Sequence, residues 1–243
     1  MTDFISQIKS NLSFLLVTAA IIVFLALAAK FAERFLPGKR KLSPARRITI
    51  IALCGAIAAI LHILDFPLPF LAPDFYRLDI SELPVMLCGF YLGPSATVFC
   101  EAVKILLKLL LKGTTTAFVG DFANFFVGCA FALPAAVIYQ IRKTRSGAVI
   151  AMVVGTVTMS IFGSLFNAVY LLPKFSELFG LPLDAIVGMG TAINPGIHSV
   201  TTLVMFAVVP LNLLKGTVVS LLTFLLYKRI ARPLFSIDRQ GGK

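Results

Sequence analysis

In Pro210-Leu211-Asn212-Leu213-Leu214-Lys215-Gly216 an amide and an ammonium stand three residues apart, so they share one face of any helix that carries them. Apolar residues run long on both sides. A lysine deep in a membrane span costs about 2.5 to 3.5 kcal/mol on insertion scales and therefore needs a partner, a cavity or a ligand. Glu101 and Lys104 repeat the spacing, as do Asp121 and Asn124, and Asn167 stands alone in a further hydrophobic stretch. Such groups in lipid-spanning segments recognise a polar solute by hydrogen bonds and charge. Signatures of catalysis are missing. The sequence has no G-x-x-x-x-G-K-[ST] for ATP, no H-E-x-x-H for zinc and no G-x-G-x-x-G after a strand. Gly163-Ser164 lacks a partner motif, which weighs against a membrane enzyme.

These side chains act in this way only if lipid is their solvent, and composition requires it. Hydrophobic residues make up 58% of the 243 and charged residues 14%, with a mean hydropathy of +0.95. A soluble domain averages about 25% charged residues, and its single core could not hide so much apolar surface. The net charge of +11 is gathered in short runs beside apolar stretches, which marks topology and not a nucleic-acid surface. Spans of about 20 apolar residues fall at 12–29, 48–64, 83–111, 117–141, 148–172 and 200–227, with a break at Gly93-Pro94 and a bend at Pro210. Counting the broken stretch as two helices predicts an all-α integral membrane protein of about seven helical segments.

Lys39, Arg40, Lys41, Arg46 and Arg47, then Arg142, Lys143 and Arg145, then Lys228, Arg229 and Arg232 fall on one side by alternation. The positive-inside rule names that side cytoplasmic, which predicts a multi-pass protein of the cell membrane with its C-terminus inside and its N-terminus outside. The first span also resembles a secretory signal, with Lys9, an apolar core and Ala26-Leu27-Ala28. A retained helix is favoured, because cleavage would leave the basic run at 39–47 starting outside, against its own charge. The expected organisation is an extra N-terminal helix and basic linker at 1–44, a membrane domain at 45–232 and a cytoplasmic tail at 233–243.

Lys104, Lys108 and Lys112 recur every four residues after Ser95. The outer two can snorkel to the interface, whereas Lys104 is expected to pair with Glu101 one turn below. In Gly120-Asp121-Phe122-Ala123-Asn124 the glycine permits close approach to the backbone and Asn124 offers both donor and acceptor. Capping a helix N-terminus would by itself account for Asp121. Ala52 and Ala56, with Gly55 and Ala59 beside them, give the second span a small-residue face that another helix can approach, inside the bundle or in a partner protein. His62 and His198 have no ligand cluster around them and Cys54, Cys88, Cys100 and Cys129 no paired spacing, so both sets read as packing.

Taken in order, Arg77-Leu78-Asp79-Ile80-Ser81-Glu82-Leu83-Pro84, Gly89-Phe90-Tyr91-Leu92-Gly93-Pro94, Gly120-Asp121-Phe122-Ala123-Asn124, the stretch 167–173 and Pro210-Leu211-Asn212-Leu213-Leu214-Lys215-Gly216 resemble the substrate-binding S components of energy-coupling factor (ECF) transporters, above all the riboflavin-specific ones. The resemblance implies a six-helix S-component bundle, here preceded by one extra N-terminal transmembrane helix. It implies a protein without catalytic activity or cofactor that captures riboflavin, or FMN, from outside and docks on a transmembrane coupling subunit carrying two ATPase subunits. Carried over by motif, Asn167, Asn212 and Lys215 are the expected polar contacts, with Asn124, Gly120, Asp121 and Leu78 completing the substrate site. Ala52 and Ala56, flanked by Gly55 and Ala59, form the expected docking surface. The chain departs from the family in its first span, in Asp121 where the motif has glutamate, and in a long outer insert at 173–199.

A flavin fits these groups on chemical grounds as well. The isoalloxazine has one polar edge, an imide N–H between carbonyls, that side-chain amides can match, and Lys215 can donate to a carbonyl oxygen or ring nitrogen. With 22 Phe and no Trp, a stacking wall must come from Phe or Tyr. An S component for another vitamin would use the same kind of site. A self-sufficient secondary transporter should more often show inverted repeats or paired broken helices, and only Gly93-Pro94 breaks a span here.

Overall fold

The structure, a computed structural model, describes residues 12–37 and 42–240, with side chains as far as Tyr227. Lys9, Lys39, Arg40 and Lys41, the side chains of Lys228, Arg229 and Arg232, and the end of the expected tail lie outside the described residues.

The helices follow the apolar runs. They are α1 (Leu12–Ala32), α2 (Pro44–Ile63), α3 (Glu82–Leu92), α4 (Pro94–Lys112), α5 (Val119–Ile141), α6 (Arg145–Phe166), α7 (Leu172–Phe179), α8 (Leu183–Thr191), α9 (Val200–Leu203) and α10 (Val209–Gln240). By length and composition Leu12–Phe35, Pro44–Ile63, Val119–Ile141, Arg145–Phe179 and Val200–Tyr227 can cross a membrane. Of the expected spans, α3 is too short for this and α4 carries Glu101, Lys104, Lys108 and Lys112. These two are the halves of the stretch that Gly93-Pro94 breaks: Gly93 sits at φ 100°, where a side chain would be strained, and Pro94 opens α4. The chain is thus an all-α membrane bundle: α1 is followed by α2, α3, α4, α5, the continuous α6–α7 and the continuous α9–α10, with the short α8 between these last two. A two-residue antiparallel pair, β1 (Phe66–Pro67) with β2 (Arg77–Leu78), pins the loop before α3.

Two helices widen where they reach the loop end of the bundle. Between α6 and α7 the residues Asn167–Leu171 form a π-turn, and between α9 and α10 Val204–Val208 form another. Each π-turn precedes a proline by two residues, Pro173 in one case and Pro210 in the other. Proline cannot donate to the carbonyl four residues back and its ring crowds that carbonyl, so a wider turn just upstream relieves the contact without ending the helix. The bend expected at Pro210 takes this form. The first π-turn lines the cavity described below through Asn167 and Leu171, and Val204, Ala207 and Val208 of the second are buried in the apolar cluster with Leu171.

Helix α1 packs into the groove of α4 and α5. Ala26 and Ala29 meet Val98, Ile105, Phe125 and Cys129, and Phe14 meets Phe122 edge-on at 5.7 Å. At its other end Glu33 Oε1 accepts from the Ser95 backbone N–H at 2.8 Å and lies 3.6 Å from the Arg47 guanidinium. Helix α4 has no capping side chain of its own, so the acid from α1 satisfies its N-terminus.

Candidate substrate-binding site

At the end of the bundle holding the loops 65–81 and 113–118 lies a cavity of about 200 Å³, lined among others by Tyr76, Asp79, Asn124, Asn167, Asn212 and Lys215. Four separate segments supply its central polar residues. The loop before α3 brings Tyr76 and Asp79, the start of α5 brings Gly120, Asp121 and Asn124, the α6–α7 π-turn brings Asn167, and α10 brings Asn212 and Lys215. Of the seven residues expected to bind substrate, six therefore face one space. Leu78 does not line it: paired with Phe66 in the two-residue ladder, it is buried in the apolar cluster with Tyr76, Leu171 and Phe175. Phe75 and Phe175, centroids 6.1 Å apart, supply aromatic wall to the cavity.

The lysines are held by a ladder of buried charges. Lys215 Nζ donates to Asp79 Oδ2 at 3.0 Å and lies 3.3 Å from Glu82 Oε2. Glu82 Oε1 accepts from Lys104 Nζ at 3.1 Å, and Lys104 reaches Glu101 Oε2 at 2.6 Å. The expected Glu101–Lys104 pair is present, and Glu82 joins it. Asp79 also accepts from the Ser81 backbone at 2.8 Å and lies 3.2 Å from His62 Nδ1. Burial opposes charge on Asp79, but Lys215 and His62 outweigh it and hold its carboxyl well below the usual range. Lys215 thus finds its counter-charge in Asp79 and Glu82. Asp121 instead pairs with Lys108.

Nor does Asp121 cap α5. That helix starts from Ala117 and Phe118 at φ 46° and 71°, a left-handed conformation that non-glycine residues seldom adopt. Thr114 Oγ1 accepts from the Phe118 N–H at 3.0 Å, and Thr116 Oγ1 accepts from the Gly120 N–H at 3.0 Å. A Cβ on Gly120 would lie 2.8 Å from that Thr116 oxygen, so the close approach its glycine permits is by the chain itself. Asn124 Nδ2 donates to the Gly120 carbonyl at 3.1 Å.

The Asn212 amide is more open. Asn212 Nδ2 is buried and has no hydrogen-bond partner among the described residues, and it would lie 2.8 Å from a Cβ placed on Gly163. An unpaired buried donor of this kind costs about 1 to 3 kcal/mol, which a ligand acceptor would return. His62, Tyr76, Asp79 and Glu82 were not singled out from sequence as site residues. The demand of a buried lysine for counter-charge signals that an acid must lie near it, without naming which.

Residues 46–227 match the family model described as ECF transporter, substrate-specific component. The chain belongs to the S components of ECF transporters. It is 33% identical over 199 residues to the riboflavin transporter RibU of Staphylococcus aureus (strain TCH60), an alignment covering 81% of this chain and 97% of that protein. It is 28% identical over 186 residues to the riboflavin transporter FmnP of Bacillus subtilis (strain 168), covering 76% and 92%. A solved structure of the S component of a bacterial ECF transporter superposes with a TM-score of 0.62 at 32% identity, covering 79% of this chain and 99% of that one. The matched family region of this S component begins after α1, so α1 and its Glu33 cap lie outside it. Membership makes the chain a multi-pass membrane protein that works with other ECF components in transport.

Proposed function

We propose that this S component binds riboflavin in the cavity between Asn167, Asn212 and Lys215 and delivers it to a transmembrane coupling subunit with two ATPase subunits. The carrying observation is the buried, unpartnered Asn212 amide beside Lys215 and Asn167 in one cavity. The relatives named as riboflavin transporters support the choice of ligand. Uncharged riboflavin suits the mouth better than FMN does, because the cations there are already engaged: Lys108 with Asp121, and Arg77 and Lys112 with Asp65 at 3.0 and 3.1 Å. The cavity end faces outward in this reading, since Arg46, Arg47, Arg142 and Arg145 gather at the opposite end, and the C-terminus is then cytoplasmic and the N-terminus outside. The domain limits proposed are 1–44, 45–232 and 233–243. Titration of the purified chain is expected to show one riboflavin bound per protein with quenched flavin fluorescence. Tight binding of a different vitamin and none of riboflavin would overturn the substrate while leaving the family intact.

The docking surface proposed on α2 is now narrower. Ala52 is exposed and Ala56 half-buried, whereas Gly55 and Ala59 turn into the bundle, Gly55 so closely that a Cβ there would lie 2.5 Å from Val103 Cγ1. The small residues thus divide between internal packing and an open face. Ala56→Trp should abolish uptake by the assembled transporter and leave riboflavin affinity of the isolated chain unchanged. Weakened binding in a well-folded variant would assign Ala56 to the bundle interior instead.

A further inference from the structure

Asn167 meets two groups of different character. Its Nδ2 donates to the Gly163 carbonyl at 2.7 Å, and its Oδ1 accepts from the Tyr76 hydroxyl at 2.9 Å. A carbonyl can only accept, so the nitrogen of the amide must face Gly163 and the oxygen must face Tyr76. The reverse orientation would set Asn167 Oδ1 against the Gly163 oxygen. Tyr76 lies in the loop before α3 and Asn167 in the π-turn after α6, which makes this bond a tie between the loop and the helices across the cavity. Burial pushes the Tyr76 phenol up, so the hydroxyl keeps its proton and can donate it.

We infer that Tyr76 is a positioning residue for the substrate site: by donating to Asn167 Oδ1 it holds the amide in the orientation that the Gly163 carbonyl sets, which leaves the second Nδ2 proton for a ligand acceptor. The ligand class so selected is one with a carbonyl oxygen or ring nitrogen at that place, and the inference rests on the riboflavin reading for the particular ligand only. Gly163 completes the arrangement. Its carbonyl orients Asn167, and its missing Cβ leaves room for the Asn212 amide, so one glycine serves both asparagines.

Two measurements separate this role from general packing and from the choice of ligand. In ligand-free protein labelled with 15N-asparagine, the Asn167 side-chain NH2 pair, assigned by its absence from Asn167→Ala, should exchange and flip faster in Tyr76→Phe. In riboflavin titrations Tyr76→Phe should weaken binding about tenfold, equivalent to about 1.4 kcal/mol, and the double variant Tyr76→Phe/Asn167→Ala should bind no more weakly than Asn167→Ala alone. An unaltered NH2 pair overturns the positioning role whatever the ligand, and so do additive losses in the cycle. A parent chain that ignores riboflavin while its NH2 pair responds to Tyr76→Phe upholds the positioning role and removes riboflavin as the substrate.

Discussion

Lys104→Met is expected to cost the ligand-free protein about 3 to 5 kcal/mol, enough to remove most of the folded material recovered in detergent. Lys104 is fully buried, and its ammonium serves two carboxylates that are themselves almost fully buried, Glu101 and Glu82. Glu82 has other donors, Ser81 Oγ at 2.8 Å and Lys215. Glu101 has Lys104 alone among the described ion pairs, and it is wedged against α5, where a Cβ on Gly128 would lie 2.8 Å from its Cδ. Methionine would fill the lysine's volume and return none of its charge, stranding Glu101 in an apolar bundle. The double variant Glu101→Gln/Lys104→Met should recover part of the loss, because the stranded charge goes with its partner. Thermal unfolding of the ligand-free variants checks this. Equal melting of Lys104→Met and the parent would show that the ladder carries no net stabilisation at this rung.

The contrast between Lys104 and Lys215 shows what the sequence made legible. Pairing of Glu101 with Lys104 could be read directly, since three residues along one helix fix the geometry before any tertiary contact forms. The partners of Lys215 could not, because Asp79 is 136 positions away and arrives on a loop whose path depends on a two-residue ladder and on Ser81. Helices were legible for the same local reason, from hydrophobic runs and the break at Gly93-Pro94. The π-turns were not: Pro173 and Pro210 announce a disturbance, but a kink, a break and a π-turn all answer it, and the local sequence does not choose among them. Asp121 does stand in the first turn of α5, where the macrodipole favours an acid, but it pairs with Lys108, and the hydroxyls of Thr114 and Thr116 accept from the N–H groups at the start of the helix.

Lys215→Met should lower two quantities together, ligand affinity and ligand-free stability. The ammonium lines the cavity and at the same time bonds Asp79, so its roles toward substrate and toward the fold cannot be separated by truncation. Loss of a charge-assisted hydrogen bond to the ligand is worth about 1.5 to 3 kcal/mol, roughly tenfold to hundredfold in affinity. The stability loss should be smaller than for Lys104→Met, about 1 to 3 kcal/mol. Asp79 keeps the Ser81 N–H and His62, and Glu82 keeps Lys104, so neither acid is left bare. Asn212→Ala provides the comparison, since its Nδ2 has no partner to strand among the described residues: riboflavin affinity should fall by a similar factor with ligand-free melting no lower than the parent's. If Lys215→Met instead melts early but binds riboflavin with parental affinity, the lysine serves only the buried acids, and the polar readout of the ligand falls to the two asparagines.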